Sequence, residues 1–209
     1  PVDATYDRHH EQLKLLDEPL MPRADLPLLG DHNVANALAA ALAVVAADAA
    51  FQTPAARERL CVALRSFHAL ANRLEVVADV GGVLWINDSK ATNVASARVA
   101  IEGMTRPAVV LLGGKHKGES YVGLAPALAA RAKRVIAYGE AAARIEADLA
   151  AHVPLDRLGS SFEEVMRRAR EVAAPGDAVL LSPACSSYDM FTNYEERGAI
   201  FRRLAKGQA

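Results

Sequence analysis

Nine consecutive residues, Trp85-Ile86-Asn87-Asp88-Ser89-Lys90-Ala91-Thr92-Asn93, end an apolar run in a knot of carboxylate, ammonium, amide and hydroxyl groups. Such a set can receive an anion. A lysine brings charge, a threonine brings a hydroxyl, and a helix starting behind them adds unpaired N–H groups and partial positive charge. Two other stretches carry related chemistry. In Gly113-Gly114-Lys115-His116-Lys117-Gly118 the glycines let backbone approach an anion while one lysine completes the contact. Ser182-Pro183-Ala184-Cys185-Ser186-Ser187-Tyr188-Asp189 is rich in hydroxyls. Each stretch also has a plainer reading. Asp88 or Thr92 can simply cap a helix, the lysines can be solvated loop residues, His116 can be a base or, without an acidic partner, face solvent, and Cys185 can be a buried, inert thiol.

Spacing removes several chemistries. The chain has no GxxxxGK[ST] phosphate loop and no GxGxxG dinucleotide fingerprint, which argues against an oxidoreductase. Ser187 lacks the GxSxG elbow of a nucleophilic serine, so it reads as a hydrogen-bond donor. Cys61 and Cys185 stand in neither CxxC nor Cys/His spacing, which argues against structural zinc and for a reducing, cytoplasmic compartment.

These groups need a scaffold, and the surrounding pattern supplies one. Apolar strands are expected at 74–78, 83–86, 108–112, 135–138 and 178–181, with helices at 122–132, 141–149 and 161–172, one opening at Thr92 and one from about Asn193. The first two strands are joined across Asp79-Val80-Gly81-Gly82 as a hairpin, and Ser161 with Glu164 forms a capping box. Continuous apolar strands separated by helices imply a mostly parallel, Rossmann-like α/β sheet with an antiparallel hairpin at its start. In such a sheet Asp88, Lys90 and Thr92 sit at a strand's carboxyl end, where ligands gather, and the loops at Asp88, Gly113 and Ser182 share one edge. Upstream, an Ala/Leu-rich helix capped by Asp31 runs to Ala50 and a second runs from Pro54 to about Phe67. Residues before Asp31 show no firm periodicity. The expected division is 1–70, a helical piece of one domain, and 71–209, the Rossmann-like domain.

Composition bounds the rest. The chain has 209 residues, 52% hydrophobic and 23% charged, enough to bury a core, and a net charge of −1 without a Lys/Arg block, which gives nucleic acid no electrostatic footprint. The longest apolar stretch, Ala37 to Ala47, is too short for a bilayer span, so no membrane partner is expected.

The stretch 85–93, together with Leu181 to Phe191, Glu196-Arg197-Gly198 and His32-Asn33-Val34-Ala35-Asn36-Ala37, resembles the Mur ligase family, within it the ligases that add D-glutamate in peptidoglycan synthesis. The resemblance runs from about Asp31 to the C-terminus. It implies an ATP-dependent amide ligase acting on D-glutamate and UDP-N-acetylmuramoyl-L-alanine through an acyl phosphate, expected to be a monomer. By position it implies that Asn33 and Asn36 lie near adenine and phosphates, that Arg73 reaches ATP and that Asp88 binds ribose. Lys90, Thr92, Lys117, Ser187 and Tyr194 would hold the carboxylates of D-glutamate, with Lys90 and Lys117 also expected to assist the chemistry. Tyr194 stands where the family often has phenylalanine, and Asn72 where many members have histidine. The family's phosphate loop, Mg²⁺-binding glutamate and carbamylated lysine would belong to an upstream region, residues 1–70 being the end of a central ATPase domain, so this stretch alone is expected to be inactive. A reading from another class is a non-catalytic α/β module that binds an acidic ligand.

Overall fold

Short alternating runs make strands even at the start of the chain. In the computed structural model, which describes residues 3–208, β1 (Ala4–Asp7), β2 (Gln12–Leu15) and β3 (Glu18–Pro22) form an antiparallel sheet in that order. Leu13, Leu15 and Met21 are buried against Val34, Leu38, Ala41 and Val45 of α1 (Asp31–Ala47) and Cys61 of α2 (Pro54–Ser66). Each such side chain contributes about 1.5–3 kcal/mol of burial. The helical segment expected upstream of residue 70 therefore carries a sheet as well. Its strands are hard to read because they are four or five residues long and because Glu11, Leu16 and Asp17, rather than glycine, take positive φ at the reversals. Asp31 is not the cap of α1. Gly30 holds that position, and Asp31 is the first helical residue, paired with Arg8 at 2.6 Å.

The chain divides into two compact units between Ala69 and Leu70. The second is built on a six-stranded sheet, β4 (Glu75–Val80), β5 (Val83–Asn87), β6 (Ala108–Gly113), β7 (Ala132–Tyr138), β8 (Leu155–Arg157) and β9 (Ala178–Leu181), in the order β4-β5-β9-β6-β7-β8. Only β4 and β5 pair antiparallel, across the two-residue turn Gly81-Gly82, where φ is +61° and +78°. Both turn positions thus need the left-handed region that glycine enters freely.

Every residue of β6 and β9 is buried, the signature of strands covered on both faces. On one face Trp85, Leu111, Ile136, Tyr138 and Leu181 pack on Phe162, Val165 and Met166 of α6 (Phe162–Val172) and Phe201 of α7 (Tyr194–Ala205). Alternate positions Ile86, Val110, Leu112 and Leu180 are equally buried, so the opposite face is covered too. The remaining helices are α3 (Val94–Glu102), α4 (Ala125–Arg131) and α5 (Ala142–Leu149). The helix expected over 122–132 is instead a 3₁₀ turn, Val122–Leu124, followed by α4 with Pro126 in its first turn, and the chain is already extended at Ala132. Strand β8 was not expected at all. Because β5, β9 and β6 are neighbours and parallel, their three C-terminal loops lie side by side. Among the described residues no helix is long and apolar enough to cross a membrane.

Candidate functional site

The three neighbouring loops enclose an open cleft of about 470 Å³. Thr92 comes from the loop after β5, Lys115, His116 and Lys117 from the loop after β6, Ser186, Ser187 and Tyr188 from the loop after β9, and Tyr194 from the start of α7. Four of the five residues matched to the amino-acid site, Thr92, Lys117, Ser187 and Tyr194, thus face one space. Lys90 stands behind it, its Nζ donating to Tyr194 Oη at 3.0 Å and lying 4.7 Å from the ring centroid. That ammonium fixes the tyrosine by a hydrogen bond and a cation–π contact. Lys115, His116, Ser186 and Tyr188 line the same cleft; of these, the sequence leaves His116 open as a base and offers Lys115 only as one of two loop lysines. Residues 115 and 116 share a glycine loop with Lys117, and that adjacency was the available signal.

Neither Asp88 nor Thr92 caps a helix. Asn93 does so for α3, its side-chain oxygen accepting from Ser96 N at 2.8 Å, so the helix begins at Val94 rather than Thr92. Asp88 is 8% exposed, and its two carboxylate oxygens accept from Leu74 N at 3.3 Å and Ser182 Oγ at 2.9 Å. Burial pushes its pKa up to about 7, opposed by the Ser182 and Leu74 hydrogen bonds and by the nearby positive charge of Arg73. Asp88 therefore joins β5 to β9 and does not line the cleft. Arg73 is exposed. Asn72 is buried at φ +64°, its Oδ1 accepting from Asn87 Nδ2 at 2.9 Å, so its amide is spent inside the fold. In the first unit, Asn33 and Asn36 sit one turn apart on α1; Asn33 donates to Leu29 O at 2.8 Å and Asn36 is exposed.

What holds the loops in register is Arg197. Its side chain is fully buried, and among the described residues no carboxylate lies within ion-pair distance of it. Instead its Nε donates to Ser89 Oγ at 2.9 Å, one terminal nitrogen to Ser89 O at 2.8 Å, and the other to Cys185 O at 3.3 Å and Ser186 O at 3.4 Å. One guanidinium thus ties the loop after β5 to the loop after β9, using its rigid fork of donors. The loop after β6 joins through backbone: Lys115 N donates to Ser186 O at 2.9 Å. Gly114 makes this possible, since at its φ of +126° a Cβ would stand 2.2 Å from Ser186 O. The Glu196-Arg197-Gly198 motif was visible in the sequence, but its role was not.

The chemistry available is anion and amino-acid binding: two lysines and several hydroxyls facing one space, with the hydroxyls' backbone held fast. Among the described residues no group of three His, Cys, Asp or Glu side chains is placed to hold a metal ion.

Comparison with known proteins places the same region. Residues 72–185 match the family model described as Mur ligase, glutamate ligase domain. The UDP-N-acetylmuramoylalanine--D-glutamate ligase of Acidobacterium capsulatum is 46% identical over 187 residues, 90% of this chain and 39% of that protein. The Salinibacter ruber protein of the same name is 42% identical over 190 residues, 91% of this chain and 40% of that protein. The chain thus spans about 40% of the length of these relatives. Among solved structures, UDP-N-acetylmuramate-alanine ligase from Thermotoga maritima shares the fold with a TM-score of 0.60 at 17% identity, covering 86% of this chain and 39% of that one. Folylpolyglutamate synthase of Mycobacterium tuberculosis, solved with ADP, does so with a TM-score of 0.56 at 17% identity, covering 100% and 47%. With the family model matching more than half of its residues, the chain belongs to the Mur ligase family, and its second unit carries that family's glutamate ligase domain.

Proposed function

We propose that this chain is the amino-acid-receiving part of an ATP-dependent amide ligase that joins D-glutamate to UDP-N-acetylmuramoyl-L-alanine in the cytoplasm, for peptidoglycan precursor synthesis. The observation that carries the reading is the cleft in which Thr92, Lys117, Ser187 and Tyr194 face one another across three strand-end loops. A dicarboxylic amino acid suits it. The Lys117 ammonium pairs with one carboxylate, the Thr92 and Ser187 hydroxyls donate to the other, and Tyr194, braced by Lys90, closes the side. Two unpaired thiols, Cys61 and Cys185, support a reducing compartment.

In this reading Asn33, Asn36 and Arg73 contact ATP, whose role is to turn the nucleotide-sugar carboxylate into an acyl phosphate. Asp88 keeps a narrow exposed edge for a ribose hydroxyl while its other contacts hold Leu74 and Ser182. The cleft's contribution is orientation: holding the D-glutamate amine close to the acyl carbon turns a bimolecular encounter into a positioned one. Lys117 also steadies negative charge as the tetrahedral intermediate forms. The test is phosphate release by the complete polypeptide supplied with ATP, the nucleotide-sugar and one amino acid at a time. Release that requires D-glutamate is expected. Release that is indifferent to D-glutamate, or absent with all three substrates, would overturn the proposal.

A further inference from the structure

An amino acid brings an ammonium as well as carboxylates, and an ammonium cannot attack a carbonyl. The cleft walls are rich in donors for anions: Lys115, Lys117 and the hydroxyls of Thr92, Ser186, Ser187, Tyr188 and Tyr194. Among its lining side chains His116 alone offers a nitrogen that can accept a proton. The imidazole is half-buried and fixed on its inner side, where Nδ1 lies 3.0 Å from Tyr121 Oη and the two rings are 5.6 Å apart. Tyr121 is in turn buried, its hydroxyl 2.9 Å from Cys185 Sγ, while its backbone N–H donates to Asp148 of α5 at 2.8 Å. Burial pushes the Tyr121 hydroxyl well up and the Cys185 thiol up to about 11, so both stay protonated and the row from Cys185 to His116 is one of neutral groups. The acids beside Tyr121 are committed elsewhere: Glu119 accepts from Val94 N, and Asp148 accepts from Tyr121 N and Ser120 Oγ. His116 is flanked by Lys115 and Lys117, its ring bonds to Tyr121, and among the described residues no carboxylate is bonded to it.

We propose that His116 is the general base that takes a proton from the ammonium of the incoming amino acid, an assignment that rests on the ligase reading. The imidazole gains that proton, and the freed nitrogen lone pair forms the new C–N bond at the acyl-phosphate carbon. The C–O bond to phosphate then breaks, inorganic phosphate leaving with the electron pair, and the second amine proton passes to it or to solvent. Tyr121 is a positioning residue, holding Nδ1 so that Nε2 is the free nitrogen.

The experiment is steady-state kinetics of the complete polypeptide, wild type and His116→Gln, as a function of pH, with a melt on each. In the variant kcat should fall about 100-fold or more, with KM for D-glutamate changed less than about threefold, as expected for a lost general base. Its rate should climb with pH as free amine accumulates. Hydroxylamine, which attacks as a neutral nucleophile, should give hydroxamate from ATP and the nucleotide-sugar at the wild-type rate in both proteins. Added imidazole should restore part of the activity of His116→Ala, and Tyr121→Phe should lose about 3- to 10-fold in kcat. A kcat for His116→Gln within twofold of wild type, a raised KM with unchanged kcat, or loss of hydroxamate formation would each overturn the assignment while leaving the ligase reading intact. No D-glutamate-dependent turnover by the wild type would overturn both.

Discussion

The loop after β5 and the loop after β6 border the same cleft and are made in opposite ways. In the first, Asn87, Asp88 and Ser89 are buried and each side chain has protein partners: Asn72 for Asn87, Leu74 and Ser182 for Asp88, Tyr194 and Arg197 for Ser89. In the second, Lys115 and Lys117 are exposed, and the loop is tied down by backbone, through Lys115 to Ser186 and Gly114 to Tyr138, and by the His116 ring on Tyr121. Polar side chains already paired inside the fold form scaffold, whereas those left unpaired at its edge are free for a ligand. The contrast predicts that substitutions in the first set cost stability and those in the second cost binding.

The largest effect should come from Arg197→Met, which keeps much of the stem but leaves the Ser89, Cys185 and Ser186 acceptors without their donor. By analogy with breaking a buried ionic network, a loss of about 3–5 kcal/mol is expected in urea denaturation. A loss under 1 kcal/mol would remove Arg197 from its scaffold role. Lys117→Met is the opposite case. Its melting temperature should stay within a degree or two of wild type, while kcat/KM for D-glutamate in the complete polypeptide falls by roughly 30-fold to several thousand-fold, the equivalent of about 2–5 kcal/mol. If the melt moves and the kinetics do not, the contrast between the loops is wrong.

The smallest effect sharpens the comparison through pH. Burial raises the Asp88 pKa from an ordinary 3.8 to about 7, so between those values the folded state binds a proton that the unfolded state lacks. Its contribution to stability is therefore complete below pH 3.8 and is lost as pH rises through about 7. Asp88→Asn has no such proton. The stability advantage of wild type over Asp88→Asn should shrink by roughly 2–3 kcal/mol between pH 5 and pH 8, read from urea titrations at each pH. A constant gap would mean that Asp88 is ionised throughout and that its hydrogen bonds and Arg73 outweigh its burial.

Much of this site was legible before the fold was known, for a physical reason. Each strand that enters the site is continuously apolar and stops at glycine or a polar cluster, so the change of composition marks the strand end, and parallel strands put their ends on one edge. What a side chain does after that point is set by distant partners. Asp88 has the residue type of a ligand contact, yet Leu74 and Ser182, 14 and 94 positions away, take up its carboxylate. Asn72 could be compared with the histidine of other members, but not placed: its left-handed φ and its bond to Asn87 are tertiary facts. The opening sheet stayed hidden because its strands are brief and its reversals avoid glycine. Strand β8 stayed hidden because three residues carry no period.

The Arg197 fork also sets the order in which the molecule can be born. Ser89 and the guanidinium that secures it are 108 residues apart. At about 5–20 residues per second of ribosomal synthesis, the loop waits about 5–20 s for its partner. During most of that interval β4 can pair with β5, and β6 with β7 and β8, but β9, which joins the two halves, is not yet made and the cleft has no register. A nascent chain therefore completes its sheet and its pocket close together, late in synthesis, and a pause in translation ahead of β9 would lengthen the life of two half-sheets that cannot yet bind.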